Sequence, residues 1–188
     1  MPDFNNPPLG YLISEWLFAH TPLSDLFYKK YLVSLGLRGD ERILEFGSGG
    51  GIVSRYLSVL LSRGGRLTCV DISPRWVLTA KERLAGIGNI EFLLGDVRKL
   101  DLKDGSYDGV VVHFVLHDVE EQIRDSVLKA LFRKLKRGGS FFVREPTSRI
   151  TVREIDDRMK KAGLKKESAA YSTASHMGQV YEAVFVKK

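Results

Sequence analysis

The stretch LEFGSGGGIVSRYL, residues 44–57, decides how the rest of the chain is interpreted. Residues typical of a strand run into a turn that is almost entirely glycine, and a pattern with helical spacing follows. Four glycines stand between positions 47 and 51, interrupted only by Ser48. Glycine carries no side chain and adopts left-handed conformations, so such a turn lets the backbone approach a ligand closely. The sequence therefore predicts a ligand-binding loop between a strand and a helix.

This strand–loop–helix unit opens a regular alternation along the chain. Segments with helical periodicity separate five strand-like segments at 42–46, 66–72, 89–96, 107–116 and 140–145, and two β-like runs close the sequence. The alternation predicts an α/β fold with a Rossmann-like, doubly wound sheet and helices on both faces. We expect the sheet to be mostly parallel, with an antiparallel strand at its C-terminal end.

Residues that cap helices mark several predicted boundaries. Ser73-Pro74 combines a capping residue with a proline at the first helical position. Asp118 predicts the start of a helix that runs to about Lys136 and ends at Gly138-Gly139. Thr151 and the glutamate three residues after it have the spacing of a capping box.

The length of 188 residues predicts a single domain, 1–188. Residues 1–39 predict two extra helices that precede a ligand-binding core over 40–188. The first helix carries an apolar stripe, which either packs as core or forms a lid over an apolar ligand. The stripe consists of Leu9, Leu12, Ile13, Trp16 and Leu17.

The net charge of +6 is concentrated in the second half of the chain. Residues 1–118 hold 13 Lys and Arg against 14 Asp and Glu, whereas residues 119–188 hold 16 against 9. A basic half is compatible with a nucleic-acid or acidic partner. However, the basic residues are not interleaved with aromatic ones, which favours exposed helix faces over a nucleic-acid surface.

Two further features concern the compartment and metals. No stretch approaches the roughly 20 apolar residues that a membrane span needs, and no signal-peptide pattern is present, so we expect a cytoplasmic protein and no membrane partner. The single cysteine, Cys69, has no partner for an internal disulfide and does not make a metal site by itself.

Four chemistry-bearing positions follow predicted strands. They are the glycine turn, Asp71, Asp96 and His113. In a parallel sheet, ligands bind beyond the carboxyl ends of the strands, so we expect these four loops to face one crevice. Taken singly, Asp71 is also compatible with capping the next helix, and Asp96 with an ordinary Gly-Asp turn.

The residues around the glycines indicate which ligand binds. A dinucleotide fingerprint would have a glycine where Ile52 stands, and a phosphate loop would end in Gly-Lys-Ser/Thr. Glu45 lies just before the turn, where a carboxylate would repel a pyrophosphate and attract an ammonium group. This favours a nucleoside that carries an amino acid rather than phosphates.

At this point the chain resembles the class I S-adenosylmethionine-dependent methyltransferases, over roughly residues 40–188. The segment EFGSGGG is similar to their first motif, YDGVVVHFVLHDV to their fourth-strand motif, and LKRGGSFFV to their LKPGG segment with Arg137 in place of proline. The resemblance implies S-adenosyl-L-methionine as cofactor and places the chain near the small-molecule, quinone-biosynthesis-like branch.

The resemblance also implies roles for individual residues. Asp71 would accept hydrogen bonds from the ribose hydroxyls, Ile72 would pack beside the adenine, and Asp96 and Val97 would bind the adenine edge. Glu45 would lie near the amino end of the methionine, with the glycines around that moiety. The predicted cofactor-binding residues are Glu45, Gly47, Ser48, Gly49, Gly51, Asp71, Ile72, Asp96, Val97 and His113.

His117 is the predicted catalytic residue. Similar small-molecule methyltransferases often carry a histidine here, which would take a proton from a hydroxyl or an activated carbon. The alternative is that His117 only forms local hydrogen bonds at the start of the next helix. Metal-dependent members of the family use clustered acids after strands four and five, which Asp118 and Glu145 match only partly, so no metal is predicted.

The sequence therefore predicts a methyltransferase that acts on a small molecule. One alternative is an RNA- or protein-modifying methyltransferase that uses the basic half, and another is a non-catalytic module that binds S-adenosylmethionine. A nicotinamide oxidoreductase is the remaining, distant alternative. The methyl acceptor and the oligomeric state are not specified by the sequence.

Overall fold

The chain folds as the alternation of strands and helices predicts. A computed structural model describes residues 8–10, 13, 17, 21–174 and 177–188. The elements in chain order are α1 (Pro22–Ser34), β1 (Arg42–Phe46), α2 (Ile52–Leu60), β2 (Arg66–Asp71), α3 (Pro74–Arg83), β3 (Ile90–Leu94), β4 (Tyr107–His113), a 3-10 helix (Leu116–Asp118), α4 (Glu121–Lys134), β5 (Leu135–Pro146), α5 (Val152–Lys161), β6 (Leu164–Ala174) and β7 (Gly178–Lys187).

The strands form a seven-stranded mixed sheet with the order β3-β2-β1-β4-β5-β7-β6. The pairs β2–β3, β1–β4 and β4–β5 are parallel. Strand β7 runs antiparallel to both β5 and β6. The predicted fold class, a mostly parallel Rossmann-like sheet that ends in an antiparallel strand, is confirmed.

Contacts divide the chain into two compact units. The first unit holds the described residues up to Glu41 together with Gly47–Asp96, and the second holds Arg42–Phe46 together with Val97–Lys188. The division into one domain with a lid over residues 1–39 stays a prediction. No helix in the described ranges combines the length and apolar character needed to cross a bilayer.

Helix α1 packs as part of the core of the first unit. Its Tyr31 and Leu32 are buried. The ring of Tyr28 stacks on that of Tyr56 in α2, with the ring centroids 6.0 Å apart. In the predicted N-terminal stripe, the side chains of Leu9, Ile13 and Leu17 are exposed. Leu12 and Trp16 lie outside the described residues.

The start of β2 is fixed by backbone hydrogen bonds to the loop before β1. Gly65 donates its N–H to the carbonyl of Gly39 over 3.0 Å, and Arg66 donates to the carbonyl of Glu41 over 2.9 Å. The approach at Gly65 is so close that a Cβ there would lie 2.7 Å from the Gly39 oxygen and 2.8 Å from the Glu41 oxygen. Only glycine fits this turn without displacing backbone.

The second unit is built around β4 and β5, both of which have an apolar interior. Val110, Val111 and Val112 of β4 are fully buried, as the continuous apolar pattern of this strand predicts. Phe141 and Val143 of β5 are fully buried as well.

Helix starts that depend on local capping are confirmed. The Oγ of Ser73 accepts a hydrogen bond from the N–H of Trp76 over 3.3 Å. The Oγ1 of Thr151 accepts one from the N–H of Glu154 over 3.1 Å. Both bonds satisfy donors that the first turn of a helix leaves open.

The predicted start of α4 at Asp118 is wrong, and so is the prediction that Gly138-Gly139 ends the helix. The predicted end at about Lys136 lies two residues from the observed end. Asp118 ends a 3-10 helix, and α4 begins at Glu121. Helix α4 ends at Lys134, and Gly138-Gly139 lies inside β5, because the buried Leu135 already pairs with Tyr107 of β4. Long-range pairing therefore overrides the local glycine signal.

We expect Gly65→Ala to lower the free energy of unfolding by about 1–3 kcal/mol, because the added methyl group overlaps two backbone carbonyls. Urea denaturation followed by circular dichroism measures this change. Gly88→Ala is the matched control, since a Cβ there has no described heavy atom within 4 Å. Equal stability of both variants would contradict the assignment of Gly65 as a close-packed turn.

Candidate functional site

The glycine turn forms a tight loop held by the end of β2. Gly47, Gly49 and Gly51 have φ angles of 71°, 51° and 82°, in the region that favours glycine. The N–H groups of Gly47 and Ser48 both donate to the carbonyl of Val70, over 2.8 and 3.2 Å. The loop is thereby fixed beside the carboxyl end of β2.

Helix α3 supports the same loop from its C-terminal end. Arg83 donates a hydrogen bond from Nη1 to the carbonyl of Gly50. A Cβ on Gly51 would lie 3.1 Å from the Cβ of Ala80 and 3.1 Å from a methyl group of Leu84. A larger residue at position 51 would therefore push the loop away from α3.

Asp71 lies at the end of β2 with both carboxylate oxygens held by backbone donors. Oδ2 accepts from the N–H of Gly49 over 2.9 Å, and Oδ1 accepts from the N–H of Ser73 over 2.9 Å. Burial raises the pKa of this carboxyl, and the hydrogen bonds from Ser73, Gly49 and Ile72 partly offset the rise. Each oxygen keeps a lone pair, so the oriented carboxylate has room for further donors.

Further residues of the first unit that suit a ligand are Ile72, Asp96 and Ser48. The side chain of Ile72 is 60% exposed, although it is large and apolar. The N–H of Gly95 donates to the carbonyl of Asp71 over 2.9 Å, which brings the end of β3 and the half-buried Asp96 beside the end of β2. Within the described ranges, the buried Oγ of Ser48 has no hydrogen-bond partner.

These features of the first unit fit a nucleoside that carries an amino acid. An oriented carboxylate suits a pair of ribose hydroxyls, and an exposed isoleucine suits the face of a purine. A second carboxylate suits an exocyclic amino group, and the buried Ser48 hydroxyl suits a polar group brought by the ligand. The structure thus places the glycine turn, Asp71, Ile72 and Asp96 in one region.

Three predicted cofactor residues belong to the second unit. Glu45 is buried in β1 opposite Val111 of β4. Val97 is buried as well. His113, at the end of β4, pairs in register with Arg144 of β5. Burial, together with the charge of Arg144, lowers the pKa of His113 well below its ordinary value, so its ring is neutral at pH 7.

The second unit contains a histidine–carboxylate pair. The Nδ1 atom of His117 lies 2.6 Å from Oε2 of Glu145, a hydrogen-bond distance. The His117 side chain is 10% exposed and that of Glu145 is fully buried. With a carboxylate oxygen as the acceptor, Nδ1–H is the donor of this hydrogen bond. The Nε2 atom is then the basic position, and it lies 3.5 Å from Oδ1 of Asp118.

Glu145 also shapes the loop that follows β4. Its Oε1 accepts hydrogen bonds from the N–H groups of Val115 and Leu116, over 3.0 and 2.6 Å. Phe114, just before them, has a φ of 55° and donates its N–H to the carbonyl of Arg144 over 2.9 Å. Positive φ is costly for an aromatic residue, so the loop keeps this conformation because Arg144 and Glu145 satisfy its donors.

Arg124 of α4 holds the other side of this loop. Its guanidinium donates from Nε to the carbonyl of Val119 over 2.8 Å and from Nη2 to the carbonyl of His117 over 3.0 Å. The third contact runs from Nη1 to Oε1 of Glu154 in α5, over 2.7 Å. His117 is therefore fixed through its ring by Glu145 and through its carbonyl by Arg124.

The carboxylates around His117 make its imidazole more basic. Burial lowers the pKa of His117, but the hydrogen bond and charge of Glu145 and the charge of Asp118 outweigh it, so the pKa is raised. Burial raises the pKa of Asp118. An imidazole whose Nδ1–H is oriented by a carboxylate has the arrangement of a general base, with Nε2 as the proton acceptor.

The sequence analysis missed the role of Glu145. It considered this residue only as part of an acidic cluster for a metal ion. The signal was available, because an acid at the end of the fifth strand lies next to the loop that follows the fourth. Among the described residues, no group of three or more His, Cys, Asp and Glu side chains is placed to hold a metal ion.

We expect Glu145→Gln to lower the pKa of His117, because burial remains and the negative charge is lost. An NMR titration of the histidine ring nitrogens measures the shift, and His117→Gln identifies the signal. An unchanged pKa would contradict the pairing of His117 with Glu145.

The same pair predicts how stability depends on pH. The folded-state pKa of His117 is raised above its ordinary value of 6.5, so its contribution to stability is fully present below pH 6.5. The contribution is lost as the pH rises through the folded-state pKa. The difference in free energy of unfolding between wild type and His117→Gln should shrink over that interval in urea titrations.

Comparisons with known proteins agree with this fold and these motifs. A family model described as a methyltransferase domain matches residues 44–143, more than half of the chain. The ubiquinone/menaquinone biosynthesis C-methyltransferase UbiE of Pseudomonas savastanoi pv. phaseolicola is 29% identical over 136 residues, which cover 69% of this chain and 52% of that protein. The chain thus spans about half the length of the curated relatives it matches.

Solved structures share the fold at low sequence identity. A SAM-dependent methyltransferase from Aquifex aeolicus has a TM-score of 0.77 and 21% identity, over 93% of this chain and 98% of that one. The 1,6-didemethyltoxoflavin-N1-methyltransferase of Burkholderia thailandensis, solved with its substrate and S-adenosylhomocysteine, has a TM-score of 0.71 and 17% identity, over 95% of this chain and 84% of that one. The resemblance to class I S-adenosylmethionine-dependent methyltransferases is confirmed, and the chain belongs to the methyltransferase domain family.

Proposed function

We propose that this chain transfers a methyl group from S-adenosylmethionine to a small-molecule acceptor. The observation that carries the proposal is the Asp71 carboxylate, which Gly49 and Ser73 orient at the end of β2 beside an exposed isoleucine. A carboxylate held in this way is ready to accept hydrogen bonds from two neighbouring hydroxyls of a ribose.

The cofactor supplies an activated methyl group on a sulfonium, so the protein mainly binds and orients the reactants. Asp71 accepts from the ribose hydroxyls, Ile72 contacts the adenine face, and Asp96 accepts from its amino group. The hydroxyl of Ser48 gains a polar partner that the described residues do not provide. Roles for Glu45, Val97 and His113 stay predictions from the family resemblance.

His117 is the general base in this proposal. Its Nε2 takes a proton from the acceptor, and Glu145 stabilises the imidazolium that forms. The short contact between Nδ1 and Glu145 supports this role, because it fixes the tautomer and the orientation of the ring. A purely local role of His117 at a helix start is disfavoured, since its ring bonds to Glu145, 28 positions away in the chain.

The class of acceptor is inferred from the relatives. UbiE is named as a C-methyltransferase of ubiquinone and menaquinone biosynthesis, which favours a small molecule that is methylated on carbon. Carbon becomes nucleophilic when a neighbouring acidic proton is removed, and a base oriented by a carboxylate suits that step.

Ion pairs within the second unit disfavour the nucleic-acid alternative. Arg158 contacts Asp125 over 2.6 Å and Glu154 over 2.9 Å. Lys134 and Lys136 pair with Asp104 and Asp108 over 2.7 and 2.6 Å. Phosphate contacts need cations that are free to bind, and the pairing of these three cations with acids leaves fewer basic residues for such contacts. The cytoplasmic location stays a prediction from the sequence.

The proposal is tested by incubating the protein with radiolabelled S-adenosylmethionine and an extract of its source cells. Label that partitions into organic solvent or small molecules supports a small-molecule acceptor. Label lost on nuclease or protease treatment would instead support a macromolecular substrate. Tight binding of S-adenosylhomocysteine without any transfer would indicate a non-catalytic module.

We expect Asp71→Ala to weaken binding of S-adenosylhomocysteine by about 1–3 kcal/mol, because the ribose hydroxyls and two backbone donors lose their acceptor. Isothermal titration calorimetry measures the dissociation constant. Asp101→Ala is a control at an exposed carboxylate. If the affinity of Asp71→Ala equals that of wild type, Asp71 does not bind the ribose.

We expect His117→Ala to lower the turnover number about 10²–10⁴-fold, the usual contribution of a general base. The affinity for S-adenosylhomocysteine should stay unchanged, since the proposed nucleoside contacts come from other residues. Single-turnover methyl transfer and calorimetry on the same preparation separate the two effects. If a folded His117→Ala protein has the turnover number of the wild type, His117 is not the general base.

A further inference from the structure

Strand β6 is a long edge strand with one open side. It is the last strand of the sheet and pairs with β7 from Leu164 to Ala174. Within the described ranges, no strand pairs with its outer edge. The side chains of residues 165–171 are exposed on both faces of the strand, and Tyr171 is 58% exposed. An edge of this kind presents unpaired backbone donors and acceptors to another strand.

Edge strands usually carry charged residues or irregularities that prevent pairing with another strand, and in β6 these features are confined to one end. Lys165, Lys166 and Glu167 provide charge there, and a register shift between Lys166 and Ser168 distorts the ladder. The following segment, Ser168–Ala174, has no charge, no proline and no register shift. This segment is therefore a regular strand edge that is open to pairing.

We propose that Ser168–Ala174 pairs antiparallel with the same segment of a second copy of this chain, around a two-fold axis at Tyr171. In this register Tyr171 faces its own counterpart, and aromatic cross-strand pairs stabilise sheets. Ala170 lies opposite Ser172 and Ala169 opposite Thr173, so small side chains flank the central pair. The ring of Tyr171 is already packed near that of Tyr181 in β7, with the centroids 5.6 Å apart.

The charges at the end of β6 are compatible with a second copy as the partner. The two-fold register keeps Lys165, Lys166 and Glu167 outside the overlap, at its opposite ends. The two copies of Lys166 lie about 34 Å apart along the strands, ten residues at roughly 3.4 Å each. This exceeds the Debye length of about 8 Å at physiological ionic strength, so the like charges do not oppose the pairing. A two-fold interface is also closed, because each copy uses its uncharged edge segment once and leaves no second site for a further copy.

Sedimentation velocity of the full chain over a concentration series tests the proposal. The repulsive variant Ala169→Lys/Thr173→Lys places lysine opposite lysine twice in the proposed register. The matched variant Ala169→Lys/Thr173→Glu changes the same exposed positions but places lysine opposite glutamate twice. Thermal unfolding of each variant, followed by circular dichroism, checks that both fold like the wild type.

We expect the wild type to dimerise. The dissociation constant of the dimer should be at least about tenfold higher for the repulsive variant. High salt should restore dimerisation of the repulsive variant, and the lysine–glutamate variant should dimerise at least as tightly as wild type. A wild type that stays monomeric over the concentration series overturns the proposal that β6 pairs with a second copy. Equal weakening of both variants, or no weakening of the repulsive one, overturns the register and with it the proposed interface.

Discussion

A buried carboxylate at the carboxyl end of a strand organises each of the two candidate sites. Glu145 is fully buried, and such a charge is tolerated only where donors surround it. Two backbone N–H groups and the His117 ring provide them. Glu145 needs the donors of the loop after β4, and the loop in turn needs its acceptors. The positive φ at Phe114 is kept because Glu145 and the backbone carbonyl of Arg144 accept hydrogen bonds from this loop.

Asp71 performs the same task in the first unit with different donors. Its oxygens hold the N–H of Gly49 in the glycine turn and that of Ser73 at the start of α3. Removing this carboxylate would leave both donors without their acceptor, which costs free energy beyond any lost ligand contact. The two sites differ in what the carboxylate holds. Asp71 holds the backbone of the glycine turn and of the start of α3, whereas Glu145 holds a side chain that titrates.

The sequence was sufficient where local chemistry decides the structure. Periodicity predicted β1 at Arg42–Phe46, and capping predicted the helix starts at Ser73 and Thr151. Local signals failed at α4, because Asp118 belongs to a 3-10 helix and Leu135 already pairs with Tyr107 of β4. The motif placed Asp71 correctly at a strand end. The contact of His117 with Glu145 joins positions 28 apart, and only the β4–β5 register brings them together.

The ion pairs between α4 and α5 account physically for part of the basic second half. Arg124 and Arg158 share the Glu154 carboxylate, and Arg158 also reaches Asp125. Single surface pairs contribute little to stability, but a network that also holds backbone restricts the loop that it contacts. Through the carbonyl of His117, this network limits the motion of the residue whose ring Glu145 orients.

The raised pKa of His117 sets a balance between base strength and availability. A higher pKa makes Nε2 a stronger acceptor in the transition state, but it leaves less of the ring deprotonated at neutral pH. Burial opposes the two carboxylates, so the surroundings of His117 both raise and lower its pKa, with the carboxylates outweighing burial. An exposed histidine without Glu145 would lack this balance. A buried histidine without a carboxylate lacks it as well, and His113, which lies beside Arg144, is an example. The position at the end of β5 that carries Glu145 therefore determines what the histidine after β4 is able to do.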